Sequence, residues 1–207
     1  TKNVTRGEGG AIVIRNEALT EPLRQARLHG MTADAINRYR NNRYRHWDMV
    51  RLGCKANLPD LLAALLPRQI ETILQRLPAR RTLADRYRSA FAGGPIVMPK
   101  QVEGCTSAEH AFVIHVPPAV RDDAIEVLNE AGIGVGVHFR SVPTTTYYRD
   151  KYGFKDTDFP VSRAWGEGAI SLPLYSSLTV GEQDYVIDTV RERVYPLCDA
   201  TRDRARS

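Results

Sequence analysis

Three consecutive stretches decide the fold class: Ala111-Phe-Val-Ile-His-Val116, Arg121-Asp-Asp-Ala-Ile-Glu-Val-Leu-Asn-Glu-Ala131 and Ile133-Gly-Val-Gly-Val-His-Phe139. The first is an apolar run with β-branched and aromatic residues and reads as a strand. The second turns Ala124, Val127 and Leu128 to one side at helical spacing. The third reads as another strand, glycine-rich at its start. Downstream, residues 160–168 read as a short helix, and Ile170-Ser171-Leu172 as a short strand before Pro173. Thr179, with Glu182 three residues on, forms a capping box for a final helix over about 180–195. Strands separated by helices argue for an α/β layer structure.

Upstream, residues 59–92 form the longest periodic segment. Leu62, Leu65, Leu66, Ile70, Ile73, Leu74, Leu77, Tyr87 and Phe91 follow helical spacing. Pro67 and Pro78 lie inside it, so a kink or a split into two or three helices is expected. Gly93-Gly94-Pro95 ends the segment and marks a domain boundary. Residues 17–28 read as a helix that Gly30 stops. Ala11-Ile12-Val13-Ile14 reads as a buried strand fed by a tight turn at Gly7-Glu8-Gly9-Gly10. Residues 31–51 read as a long, mobile basic loop, in which Arg38, Arg40, Arg43, Arg45 and Arg51 interleave with Tyr39, Tyr44 and Trp47.

The chain has 207 residues, 43% hydrophobic and 26% charged, enough for a real core and against wholesale disorder. No apolar run approaches the ~18 residues of a membrane span, and the first residues lack a signal peptide's apolar core. The three cysteines, Cys54, Cys105 and Cys198, lie far apart, which points to reduced thiols in a cytoplasmic protein. A net charge of +5 and a pI near 9.2 allow an anionic partner without choosing one.

Read residue by residue, the chemistry stays open. The loop arginines with interleaved aromatics suit single-stranded nucleic acid, a nucleotide-bearing small substrate, or solvent alone. His138 ends a strand, where α/β proteins place crevices, yet a backbone carbonyl would satisfy it equally well. His29 and His110 are similar and weaker. Lys2, taken alone, is a solvated lysine on a polar segment. No metal-ligand spacing occurs.

Together, several stretches carry a resemblance. They are Thr1-Lys-Asn-Val-Thr-Arg-Gly-Glu-Gly-Gly10, Arg27-Leu-His-Gly-Met31, Gly53-Cys-Lys-Ala-Asn-Leu-Pro-Asp60 with Ala63-Ala64, Gly132-Ile-Gly-Val-Gly-Val-His-Phe139 and Ser171-Leu-Pro-Leu-Tyr175. Tyr147-Tyr148-Arg149 and Arg80-Arg81 add to them. In this order they resemble the pyridoxal-phosphate-dependent aminotransferases that aminate nucleotide-linked keto sugars. The likeness runs over about residues 1–195. The His-Phe segment is most similar to the branch that forms 4-amino-4-deoxy-arabinose on a uridine nucleotide.

The resemblance implies the C-terminal half of a fold-type-I α/β transferase. Residues 1–58 would end the large cofactor domain, with the mobile loop at 31–51. Residues 59–94 would be linking helices, 95–198 the small α/β domain and 199–207 a tail. Lys2 matches the lysine that forms a Schiff base with pyridoxal phosphate and then shuttles a proton. Asn57 matches an asparagine that reaches the cofactor phosphate of a neighbouring subunit. His138 matches a position near the sugar, and Arg43 falls in the substrate segment, where a guanidinium would meet a diphosphate bidentately. The implied enzyme is a cytoplasmic homodimer acting on a nucleotide sugar and an amino-acid donor, glutamate, with no metal or membrane partner. In the family, the residue stacking on the cofactor ring, the partner of the pyridine nitrogen and most phosphate donors precede the lysine. The expectation is therefore a portion of a longer enzyme. The alternative is a non-catalytic fragment whose basic loop binds nucleic acid or a protein.

Overall fold

The computed structural model describes residues 2–5, 7–32 and 46–204. The chain divides into two compact units, one of Val4–Glu71 and one of Thr1–Asn3 with Thr72–Ser207.

In the Val4–Glu71 unit, Asn16 caps a single 3-10 turn, accepting from the Ala18 N–H at 3.1 Å. The helix α1 (Thr20–Ala26) follows. It stops before Gly30, whose N–H reaches back to the Gln25 carbonyl at 2.8 Å. Here the backbone crosses itself closely. A Cβ on Gly30 would lie 1.7 Å from the Arg51 carbonyl oxygen, and one on Gly53 2.3 Å from the Gly30 nitrogen. Gly30 also has φ +75°, so two independent demands select glycine there. Single antiparallel bridges join Leu28 to Lys55 and Met31 to Met49. The buried strand expected at 11–14 does not form: Ile12 is 74% and Val13 93% exposed. No neighbouring strand among the described residues of this unit offers that segment a ladder, and apolar character alone cannot satisfy its backbone.

A one-turn helix α2 (Asp60–Ala63) precedes α3 (Leu65–Phe91), 27 residues long. The only break in this stretch is at Ala64. Pro67 sits in the first turn of α3, where a missing N–H costs nothing. Pro78 lies within the helix without splitting it, although it removes a hydrogen bond worth part of ~3 kcal/mol. Packing compensates, since Arg80, Ala84, Tyr87 and Phe91 are all buried beyond it. The two compact units meet at residue 71/72, inside α3, where its buried positions begin with Thr72.

The second unit is built on an antiparallel pair, β1 (Phe112–His115) and β2 (Ala169–Leu172), in the register Phe112↔Leu172 to His115↔Ala169. Between them lie α4 (Arg121–Glu130), α5 (Thr146–Tyr152) and α6 (Pro160–Gly168). Val97 bridges to His115 on one edge, and Gly136 to Ser171 on the other. That second bridge is all that remains of the strand expected over 133–139. Gly134 and Gly136 have no side chains to pack on the sheet, so the ladder does not extend. The capped helix α7 (Val180–Thr189) has the expected reciprocal box, with the Thr179 Oγ1 accepting from the Glu182 N–H at 3.2 Å and the Glu182 carboxylate accepting from the Thr179 N–H at 2.8 Å. It runs through a π turn, Val190–Val194, into α8 (Tyr195–Arg204). The frayed tail expected from 199 is thus helical to Arg204, anchored by buried Cys198.

The core lies between α3, the sheet, α4 and α7. Ala84, Tyr87, Phe91, Ile114, Leu128, Ile170 and Val190 are fully buried. Tyr87 packs against Phe91 and Phe112 at 5.8 and 4.8 Å and donates its hydroxyl to the Pro173 carbonyl at 3.0 Å. No helix among the described residues is long and apolar enough to cross a membrane.

Candidate active site

Lys2 belongs to the second unit. Its neighbour Asn3 fastens that end by donating its side-chain amide to the Ala108 carbonyl. The Asn3 Oδ1 is buried and meets no hydrogen-bond partner among the described residues. Lys2 itself is exposed.

The segment opposite is held by a clamp of arginines. Arg80, buried, donates from Nε to the Glu109 carbonyl at 2.8 Å. Its Nη2 donates to the carbonyls of His110 and Leu174, each at 3.0 Å. Arg88 pairs with the buried Glu109 carboxylate at 2.7 Å, and with Asp85 at 2.7 Å. Glu109 has φ +44°, a left-handed conformation costly for a side chain bearing a Cβ. Three carbonyl contacts and a low-exposure ion pair hold it there. His110 is thereby presented on the side of Lys2 and His138. Its imidazole is held below the usual histidine range, first by the protein that desolvates its inner side, then by the positive charges of Lys2, Arg80 and His138.

His138 is oriented from below, its Nδ1 2.9 Å from the Ser171 Oγ. The Gly136–Ser171 bridge brings that hydroxyl beneath the ring. A Cβ on Gly136 would come within 3.0 Å of the His138 Cε1, so glycine at 136 leaves the ring its place. The charges of Lys2 and His138 thus both act on His110. An exposed primary amine whose charge is felt by an imidazole of lowered pKa suits carbonyl attachment and proton transfer.

The other expected residues fare differently. Asn57 is exposed and belongs to the Val4–Glu71 unit, so it is described apart from Lys2. Arg43 lies outside the described residues, as do Arg38, Arg40, Arg45, Tyr39 and Tyr44. His29 is exposed, in the left-handed region at φ 56°. Among the described residues no group of three His, Cys, Asp or Glu side chains is placed to hold a metal. The clamp of Arg80, Arg88 and Glu109 carries no local sequence signal, because its members act across 21 to 94 residues of chain.

Comparison with known proteins gives this geometry its context. Residues 1–191 match the model of the DegT/DnrJ/EryC1/StrS aminotransferase family. The spore coat polysaccharide biosynthesis protein SpsC of Bacillus subtilis (strain 168) is 34% identical over 200 residues, which are 94% of this chain and 51% of SpsC. Among solved structures, Spr1654 of Streptococcus pneumoniae, assigned as a sugar aminotransferase, superposes in its PMP-form with a TM-score of 0.75 at 31% identity, over 87% of this chain and 46% of that one. Its apo-form gives 0.76 at 28%, over 96% and 48%. The aminotransferase TlmJ of Streptoalloteichus hindustanus shares the fold at 19% identity, with a TM-score of 0.74 over 88% and 46% of the two chains. The chain thus spans about half the length of the relatives it matches. It belongs to the DegT/DnrJ/EryC1/StrS aminotransferases, a pyridoxal-phosphate-dependent family with a fold-type-I α/β architecture.

Proposed function

We propose that this chain is the C-terminal portion of an enzyme that transfers an amino group, from glutamate, to a nucleotide-linked keto sugar, with Lys2 as the residue to which pyridoxal phosphate attaches. The observation that carries the reading is that Lys2 is exposed and that its charge acts on His110, within a chain whose residues 1–191 match the family. The role given to Lys2 itself comes from the resemblance of Thr1–Gly10 to the family's lysine segment. The family's work in sugar amination and polysaccharide biosynthesis supports it at a coarser level.

The residues present fit the attachment end of such a cofactor. An accessible amine and an unpartnered buried amide oxygen stand side by side at Lys2 and Asn3. Pyridoxal phosphate, when bound, supplies an electron sink for the carbon that gains or loses the amino group. Lys2 then has two tasks: to hold the cofactor through Nζ, and, once displaced, to carry a proton at that same nitrogen. The lowered pKa of His110, from burial first and the charge of Lys2 next, disfavours a second positive charge near Lys2. His138, fixed by Ser171, faces the sugar side. Asn57 would donate its amide to the cofactor phosphate of a neighbouring subunit in a cytoplasmic homodimer, and Arg43 would meet the substrate's diphosphate. The alternative, a non-catalytic fragment that binds nucleic acid or a protein partner, rests chiefly on Arg38, Arg40, Arg43 and Arg45, outside the described residues. Arg51 of the same loop is engaged with Gln25 at 2.8 Å.

The test is transamination by the protein from its native source carrying Lys2→Ala. The reading expects turnover to disappear, with exogenous amines restoring a small part of it. Undiminished turnover would end the assignment.

A further inference from the structure

A second concave site, whose lining does not include Lys2, lies in the Thr72–Ser207 unit. It is a cavity of about 340 Å³ whose charged lining is Arg121, Arg140, Arg149, Arg163, Asp156 and Glu167. Its charges are not evenly spent. Arg163 is fixed by both carboxylates, at 2.8 Å to Glu167 and 3.5 Å to Asp156. Arg121 Nε pairs with its neighbour Asp122 at 2.5 Å. Arg140 and Arg149 have no carboxylate partner among the described residues. Arg140 donates only to the Thr144 carbonyl, at 3.3 Å.

The fold brings these side chains together by a close backbone approach. A Cβ on Gly166 would lie 2.5 Å from the Ser141 nitrogen, so only glycine lets the segment after His138 pack on α6. The Ser141 and Ser162 hydroxyls, 2.8 Å apart, tie that crossing. Arg140 is thereby set on the same cavity as Arg163 of α6 and Arg149 of α5. Two guanidinium forks without a carboxylate partner, Arg140 spending one N–H on the Thr144 carbonyl, line a concave, hydroxyl-edged space and suit a phosphoryl group, which takes paired N–H donors.

We propose that this cavity binds the phosphoryl group of a small molecule, with Arg140 and Arg149 as its principal donors. The chemistry is shared by free phosphate and by a phosphate monoester. None of Lys2, His110 and His138 lines this cavity, although Arg140, Ser141 and Gly166 also line the adjoining one that holds His138. The Lys2→Ala variant therefore distinguishes failure of this site from failure of the reading of Lys2.

Calorimetric titration of the full chain tests it, with inorganic phosphate, uridine monophosphate and uridine as probes. Saturable binding of phosphate or the monophosphate is expected, and none of uridine. Each of Arg140→Ala and Arg149→Ala should weaken binding by about tenfold or more, the size of one charge-assisted pair. Both side chains are exposed, so both variants should keep the parent circular-dichroism spectrum and Tm. Arg149→Lys should fall between, because it keeps the charge and loses the fork. Arg193→Ala removes an equal charge from an exposed position in the π turn Val190–Val194 and should change nothing. Lys2→Ala should also leave binding intact. A monophosphate that binds more tightly than phosphate identifies an ester as the ligand; equal affinity identifies free phosphate. Unchanged affinity in folded Arg140→Ala and Arg149→Ala, loss of binding in Lys2→Ala, or no saturable binding of either anion would overturn the proposal.

Discussion

The two compact units are stabilised on opposite terms. In Thr72–Ser207, α3, the sheet, α4 and α7 close over a core with many fully buried side chains, from Ala84 to Cys198. In Val4–Glu71, Gly30 is the only buried residue among those described. Val13, Leu52 and Leu61 stand 93%, 90% and 82% exposed, and Ile70 59%. At ~25 cal/mol per Å² of apolar surface removed from water, Thr72–Ser207 offsets the entropy of folding with its own side chains, and Val4–Glu71 has almost no such term. The difference teaches that compactness is not self-sufficiency. The glycine crossing at Gly30 and Gly53 shapes the smaller unit without filling it. Its apolar side chains stand open to solvent instead.

The contrast is open to direct challenge. Its largest expected signature is in hydrogen exchange of the full chain. Amides of β1, β2 and the second half of α3 should exchange roughly 10³-fold more slowly than those of α1 and the Met31–Met49 bridge, a gap of about 4 kcal/mol. Equal protection would mean that the smaller unit has stabilisation not visible in its burial. Next in size is a matched truncation. Phe91→Ala, which empties a fully buried ring site, should cost about 3–5 kcal/mol in urea unfolding. Leu52→Ala, at a position 90% exposed, should stay within about 0.5 kcal/mol. If Leu52→Ala proved as costly as Phe91→Ala, the comparison would fail.

Smaller effects sharpen the site. His110 binds its proton more weakly in the fold than in the unfolded chain. Its contribution to stability is therefore undiminished above an unfolded value of about 6.5 and is lost as pH falls through the lower folded value. Removing a like charge in Lys2→Ala should move the His110 titration, followed by NMR, back up toward the ordinary range. An unmoved titration would separate Lys2 from His110. The smallest effect belongs to Gly136→Ala. It should displace the His138 ring and break its contact with Ser171, visible as a changed His138 imidazole resonance, with little change in Tm.

What was legible in the sequence follows the same divide. Local signals worked where a segment packs on its own unit's core. Residues 112–115, 121–130, 160–168 and 169–172 adopt their expected states, and the Thr179–Glu182 box is formed. They misled where the partner is elsewhere. Ile12 and Val13 look like core and are exposed. Helix α5 escaped notice because Thr146-Tyr-Tyr-Arg-Asp-Lys-Tyr152 buries nothing, so it has no apolar periodicity to read. Pro78 weighed too heavily, since the packing of Tyr87 and Phe91 outweighs one lost hydrogen bond. At the site, the role expected of Lys2 came only from family resemblance, because a lysine's function depends on a cofactor that no local pattern records. Arg80, Arg88 and Glu109 were out of reach for another reason: their contacts join α3 to loops far along the chain.

The central claim is that Lys2 is the attachment point of pyridoxal phosphate. The most direct test is borohydride reduction of the cofactor-loaded protein from its native source, followed by peptide mass mapping. The account predicts a reduced pyridoxyl group on the peptide carrying Lys2, at its Nζ and on no other lysine. A label on a different lysine, with Lys2 unmodified, would contradict it.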